Sequence, residues 1–156
     1  QAVAAGAKHT CAVTEPTADG LASLVCWGAI ESVGSDDERA RSVISGTDWS
    51  CGAFTDTEIT VSCTGDSSLG QHDVPGAIDF SSAVAGARHG CGLDETGSVA
   101  CWGADDAGQL GAPGETFLAL GSGPTSLHTC GIVDDGDSDA GPVLCWGLDA
   151  ENQLTP

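Results

Sequence analysis

The chain contains no tyrosine and no methionine, and only four of its 156 residues are lysine or arginine. Against those four stand 23 acidic side chains, giving a formal net charge of −19. A field of that sign repels polyanions, which argues against nucleic acid and anionic lipid surfaces as partners. It suits a soluble chain in a secreted, saline setting and leaves open the attraction of cations or of a basic partner. Long apolar runs are missing too. The longest, Gly20 to Ile30, is interrupted by Ser23 and Gly28 and is too short to cross a bilayer, so membrane insertion is not expected. Asn152 is the sole asparagine and is followed by Gln153 and Leu154, which excludes the N-glycosylation consensus. There is no Gly-x-Ser-x-Gly elbow, no phosphate-cradling glycine loop before a helix and no His-Glu-x-x-His, and no catalytic residue is assigned. The chain begins at Gln1 rather than methionine; the expectation is a processed product, its signal peptide removed, or a piece of something longer.

Glycine and cysteine are what the chain has in quantity, 23 and eight residues, beside only four Trp and three Phe. Small side chains and tight turns fit closely stacked short strands better than thick helices. The first cysteine of a pair recurs at Cys11, Cys51, Cys91 and Cys130, in steps of 40, 40 and 39 residues. Each ends a variant of one phrase: Ala-Gly-Ala-Lys-His-Thr-Cys, Ser-Gly-Thr-Asp-Trp-Ser-Cys, Ala-Gly-Ala-Arg-His-Gly-Cys and Ser-Leu-His-Thr-Cys. The second cysteine opens Cys-Trp-Gly at 26–28, 101–103 and 145–147, and Cys63-Thr64-Gly65 is the degenerate copy. A period near 40 residues with short strands indicates a propeller, array or solenoid. The repeat also selects one pairing: Cys11–Cys26, Cys51–Cys63, Cys91–Cys101 and Cys130–Cys145. Each bridge would staple neighbouring strands of one hairpin in an oxidising compartment, secreted or at the cell surface. Closing loops of about 10–15 residues contributes roughly 3 kcal/mol apiece on the chain-entropy model. No pair has the spacing of a zinc knuckle.

Repeat boundaries fall near 1–42, 43–79, 80–116 and 117–156, within one domain spanning 1–156. The third copy is the clearest. Ala83 to Gly86 reads as a small apolar strand, Gly90 to Leu93 opens a second, and Asp94-Glu95-Thr96-Gly97 supplies the turn before a third at Ser98 to Trp102. The first copy replaces Gly-Gln-Leu-Gly by the charged stretch Ser35 to Arg41. The second carries Trp49 where its neighbours have histidine, and the fourth lengthens its hairpin loop over 134–141.

On Gly-x-x-His-x-Cys at 6–11 and 86–91, three copies of Cys-Trp-Gly, and Gly-Gln-Leu-Gly at 108–111, the chain resembles the repeat family named for the regulator of chromosome condensation, in its secreted, cysteine-bearing form. The resemblance implies an all-β fold: a β-propeller whose blades are four-stranded antiparallel sheets, here four repeats with one intra-blade disulfide each. Familiar members close with seven blades. The four repeats here leave three arrangements open: a four-bladed ring, a window on a longer array, or ends that pair head to tail with other copies. Of the roles the resemblance brings, nucleotide exchange on a small GTPase is disfavoured by disulfides and charge, whereas inhibition of a secreted β-lactamase stays open.

Three groups of residues invite a functional reading. His9, His89 and His128 share one repeat position and could converge on a metal; the preferred reading is structural, with each ring bonded to neighbouring backbone. His72 sits in a loop without a visible partner. Trp27, Trp102 and Trp146 could form a carbohydrate platform, but their recurrence beside a disulfide cysteine favours a packed wall between blades. Asp135, Asp137 and Asp139 alternate as in a calcium loop, although the glycine falls one place late and no bidentate glutamate follows, so a solvated insert is preferred and no cofactor is assigned. The resulting expectation is a non-enzymatic extracellular module that presents a surface to a protein or glycan. The alternatives are a structural subunit of a filament or surface layer, and the enzyme inhibitor.

Overall fold

A computed structural model describes residues 2–15, 18, 21–31, 39–55, 59–76, 82–137 and 141–155. Among these residues twelve strands fall into four three-stranded antiparallel sheets in sequence order. Blade 1 comprises β1 (Val3–Ala5), β2 (His9–Val13) and β3 (Leu24–Gly28). Blade 2 comprises β4 (Ala40–Ser45), β5 (Trp49–Thr55) and β6 (Ile59–Gly65). Blade 3 comprises β7 (Ala83–Ala85), β8 (His89–Leu93) and β9 (Val99–Gly103), and blade 4 β10 (Phe117–Gly121), β11 (His128–Val133) and β12 (Val143–Gly147). The four-stranded blade implied by the resemblance is therefore corrected to three strands among the described residues. In blade 3 the reason is local: the segment after β9 is rich in turn formers (Asp105, Gly108, Gly111, Pro113 and Gly114), which disfavour a ladder. Strand β4 runs from Ala40, across the expected repeat boundary at 42/43. Among the described residues no helix is long and apolar enough to cross a membrane.

Each sheet carries its staple on the middle and last strands. Cys11 faces Cys26, Cys51 faces Cys63, Cys91 faces Cys101 and Cys130 faces Cys145 across the ladder, and all four pairs are disulfide-bonded. Directly opposed cysteines share one face of their sheet, because side chains alternate along a strand. The glycine ending each Cys-Trp-Gly is in the left-handed region, with φ 103° at Gly28, 98° at Gly103 and 107° at Gly147. A Cβ there would meet the carbonyl oxygens of Lys8, Arg88 and Leu127. Those same carbonyls accept the amides of Ala29, Ala104 and Leu148, so the Trp-Gly mark is a chain-reversal device as well as a packing one.

The core lies between blades. One apolar cluster joins Cys11, Leu24 and Cys26 of blade 1 to Val43 and Phe54 of blade 2. A second joins Ile44, Trp49 and Cys51 of blade 2 to Ala85 and Trp102 of blade 3, and a third joins Cys91 and Leu93 of blade 3 to Phe117 and Trp146 of blade 4. The disulfide face of each blade thus packs on the opposite face of the next. Backbone bonds run along the same direction, from the Ala7 amide to the Thr47 carbonyl, from Thr47 to Ala87 and from Ala87 to Ser126.

Candidate functional site

Most of the residues singled out by the repeat gather at these joints, His128 and Trp27 excepted. His9 Nε2 lies 2.7 Å from Ser50 Oγ, which lies 2.8 Å from Ser45 Oγ, all three buried. His89 Nε2 lies 2.8 Å from Thr129 Oγ1. Where blade 2 has Trp49 instead, its indole Nε1 donates to the Ala87 carbonyl at 3.0 Å. In each case the ring of one blade reaches a group on the following blade. The expectation that the histidines bond to nearby backbone is corrected for His89, whose partner is a side-chain hydroxyl 40 residues on; His9 joins the Ser50 hydroxyl to the backbone at Trp49. Burial pushes the His89 pKa down to about 4, with nearby His128 acting in the same direction, so the ring is neutral near pH 7. Its Nδ1 has no partner. A proton on Nε2, donated to Thr129, leaves only a lone pair unmet there. Desolvation lowers His9 as well, opposed by the charge of Asp48 and the backbone at Trp49. His128 has no following blade in the chain; its Nδ1 lies 2.9 Å from Ser126 Oγ in its own turn.

The tryptophans divide. Trp102 and Trp146 are 3% and 4% exposed, but Trp27 is 54% exposed. The expected wall of three is therefore corrected at Trp27, because that residue sits on the outer face of blade 1, which no described blade covers. Trp102 Nε1 donates to the Gln71 carbonyl at 3.1 Å, whereas Trp146 Nε1, equally buried, makes no hydrogen bond.

Sequence reasoning overlooked two residues, Gln71 and Gln109, both fully buried. Gln109 Oε1 accepts the Ala107 amide and its Nε2 donates to Asp106, while Gln71 does the same with the Leu69 amide and Asp66. Each glutamine closes its own loop; the Gln71 carbonyl meets Trp102 of the following blade, and Ala112 beyond Gln109 packs on the third apolar cluster. The recurrence of Leu-Gly-Gln at 69–71 and Gly-Gln-Leu at 108–110 was the available signal. Gln71 helps hold Asp66 below the usual carboxylate range, behind the stronger effect of the Ser68 amide and hydroxyl.

The described part of the acidic insert caps its own turn. Asp134 and Asp135 accept the amides of Gly136 and Asp137, and Asp139 lies outside the described residues. Among the described residues no three His, Cys, Asp or Glu side chains cluster as metal ligands, and His72 Nε2 is buried without a partner. Two shallow grooves are found among the described residues. One, of about 220 Å³, runs between blades 3 and 4 beside Val84, Leu93 and Leu118. The other, of about 210 Å³, lies on the outer face of blade 4 over Cys130, Ile132 and Val143.

Residues 80–109 match the regulator of chromosome condensation (RCC1) repeat. Solved structures resemble the chain along nearly its full length. The ectodomain of the Physcomitrella patens receptor kinase CR4 is 33% identical with a TM-score of 0.73, covering 96% of this chain and 41% of that one. The CRINKLY WD40 ectodomain of the Arabidopsis thaliana receptor kinase ACR4 is 25% identical with a TM-score of 0.66, covering 94% and 49%. Human WBSCR16, at 16% identity and a TM-score of 0.71, shares the fold. The chain spans less than half the length of each.

Proposed function

For a chain built of regulator-of-chromosome-condensation-type repeats, we propose the role of a non-enzymatic extracellular binding module, one domain whose hairpin loops meet a protein or glycan. One contrast carries the reading. The joints repeat from blade to blade, whereas the loops between second and third strands do not: they hold 10 residues after β2, three after β5, five after β8 and nine after β11. Variable loops on a repeated scaffold are where recognition is built. The buried polar side chains His9, His89, Gln71 and Gln109 serve the joints and loop closures, which supports a structural rather than catalytic use of the repeat histidines. Two further supports are the likeness to receptor-kinase ectodomains and the four disulfides, which suit an oxidising exterior. The net charge of −19 favours basic surfaces on the partner.

The test is loop exchange. The chain is screened against arrays of secreted proteins and of glycans, and a saturable hit is re-measured after the blade 4 loop over 134–142 is replaced by the five-residue loop of blade 3. Lost binding with unchanged thermal stability supports the reading; binding that survives exchange of each of the four loops contradicts it.

A further inference from the structure

The two outer faces of the blade stack are the unmatched halves of one joint, and we propose that they mate head to tail between two copies of this chain. All three internal joints have the same polarity, disulfide face against the opposite face of the next blade. Among the described blades, blade 4 therefore leaves its disulfide face uncovered and blade 1 leaves the other. The exposures follow. Cys11, Cys51 and Cys91 are fully buried, while Cys130 at the equivalent position is only partly so. Blade 1 shows Val3, Val25 and Trp27 on its outer side, where blade 3 buries Trp102. Blade 4 answers with the groove of about 210 Å³ over Cys130, Ile132 and Val143.

The polar fittings are complementary as well. His128 occupies the position of His9 and His89, which reach hydroxyls at Ser50 and Thr129; Thr10 is the blade 1 residue at that hydroxyl position. The loop of Gln153 is already folded like that of Gln109. Gln153 Oε1 accepts the Glu151 amide at 2.7 Å as Gln109 Oε1 accepts that of Ala107, and Asp149 accepts the Leu154 amide as Asp105 accepts that of Leu110. Asn152 takes the left-handed φ of 58° where Gly108 has 78°. The indole bond is not general: the Gln71 carbonyl receives Trp102, but Trp146 Nε1 finds no acceptor beside the Gln109 loop, so Trp27 enters the joint as an apolar anchor. One rung is missing: the Ser126 amide is used within its own turn, by Gly123. A second copy is the occupant because the uncovered faces of blades 4 and 1 are the two sides of the joint seen three times inside the chain, disulfide face and opposite face, and carry the His128 and Thr10 positions. Repetition of the contact yields a ring where it closes and a filament where it does not. The inference stands apart from the loop reading, since it involves end faces only.

The test is sedimentation of the purified chain over a concentration series at low and raised salt, because the net charge of −19 opposes association until it is screened. The expected result is a 15.5 kDa species giving way to dimers or longer assemblies, more readily at raised salt. Trp27→Glu and Val143→Glu each weaken association at least about tenfold, as loss of an interface anchor does, whereas Leu69→Glu, equally exposed but away from both ends, leaves it unchanged. Mixing the two variants restores one intact joint and hence association, an outcome that head-to-head pairing does not give. Acrylamide quenching of the unmodified chain reads the joint without any variant: Trp27 becomes protected as concentration rises. A chain that stays monomeric with Trp27 accessible overturns the proposal and assigns the faces to other repeats. So does association indifferent to Trp27→Glu, or a mixture that fails to rescue.

Discussion

Trp102 and Trp27 occupy the same repeat position, and replacing each with alanine separates packing at a joint from the local merit of the Trp-Gly mark. Trp102 is 3% exposed, packed among Ile44, Trp49, Cys51, Ala53 and Ala85, and bonded to the Gln71 carbonyl. Emptying such a site costs about 3–5 kcal/mol, the lost hydrogen bond being part of that range. For a domain of this size each kcal/mol moves the melting temperature by roughly 2–4 °C, so Trp102→Ala is expected to melt on the order of 10 °C lower or more. Trp27, 54% exposed with no described blade over it, falls in the surface class, and Trp27→Ala changes stability by no more than about 0.5 kcal/mol. Urea titration followed by circular dichroism, at dilutions where the chain is monomeric, measures both without relying on indole emission. Equal losses for the two variants, or a loss under about 1 kcal/mol for Trp102→Ala, refutes the reasoning.

Three further outcomes are expected. His89, with its folded pKa near 4 against 6.5 unfolded, binds fewer protons when folded. Its contribution is complete above pH 6.5 and is lost as pH falls towards 4, about 3 kcal/mol in all. A urea-midpoint series across that window should slope accordingly and flatten in His89→Gln; an unchanged slope in the variant contradicts it. Under mild reductant without denaturant, alkylation and mass mapping should find Cys130 and Cys145 labelled first, because Cys11, Cys51 and Cys91 are fully buried and Cys130 is not. Prior labelling of Cys91 would count against the joints. Gly103→Ala, at φ 98° with its new Cβ 2.5 Å from the Arg88 carbonyl, should destabilise by roughly 1–3 kcal/mol. Gly114→Ala, with nothing within 4 Å, should not, as thermal melts can show.

The period of the cysteines made the four sheets and their staples legible, since a bridge between opposed positions of a hairpin needs only local spacing. The joints were harder to read. A 40-residue repeat shows that His9 and His89 share a position, but not that the position reaches Ser50 and Thr129 on the following blade, because repetition aligns residues without pairing them. Gln109 was visible as a motif letter while its full burial was not, since a glutamine closing its own loop looks polar and exposed in sequence. Trp27 shows the opposite failure: its motif matches Trp102 and Trp146, yet its burial depends on a neighbouring blade that the motif does not encode. The Asp135 and Asp137 alternation is that of a calcium loop, but a solvated insert is the preferred reading because short acidic segments satisfy their own turn amides first.

Oxidative footprinting of tryptophan on the monomeric chain, read by mass spectrometry, tests the serial blade joint most directly. Trp27 should be modified rapidly while Trp49, Trp102 and Trp146 are protected until the chain unfolds. Modification of Trp102 or Trp146 at the rate of Trp27 would contradict the packing on which the rest depends.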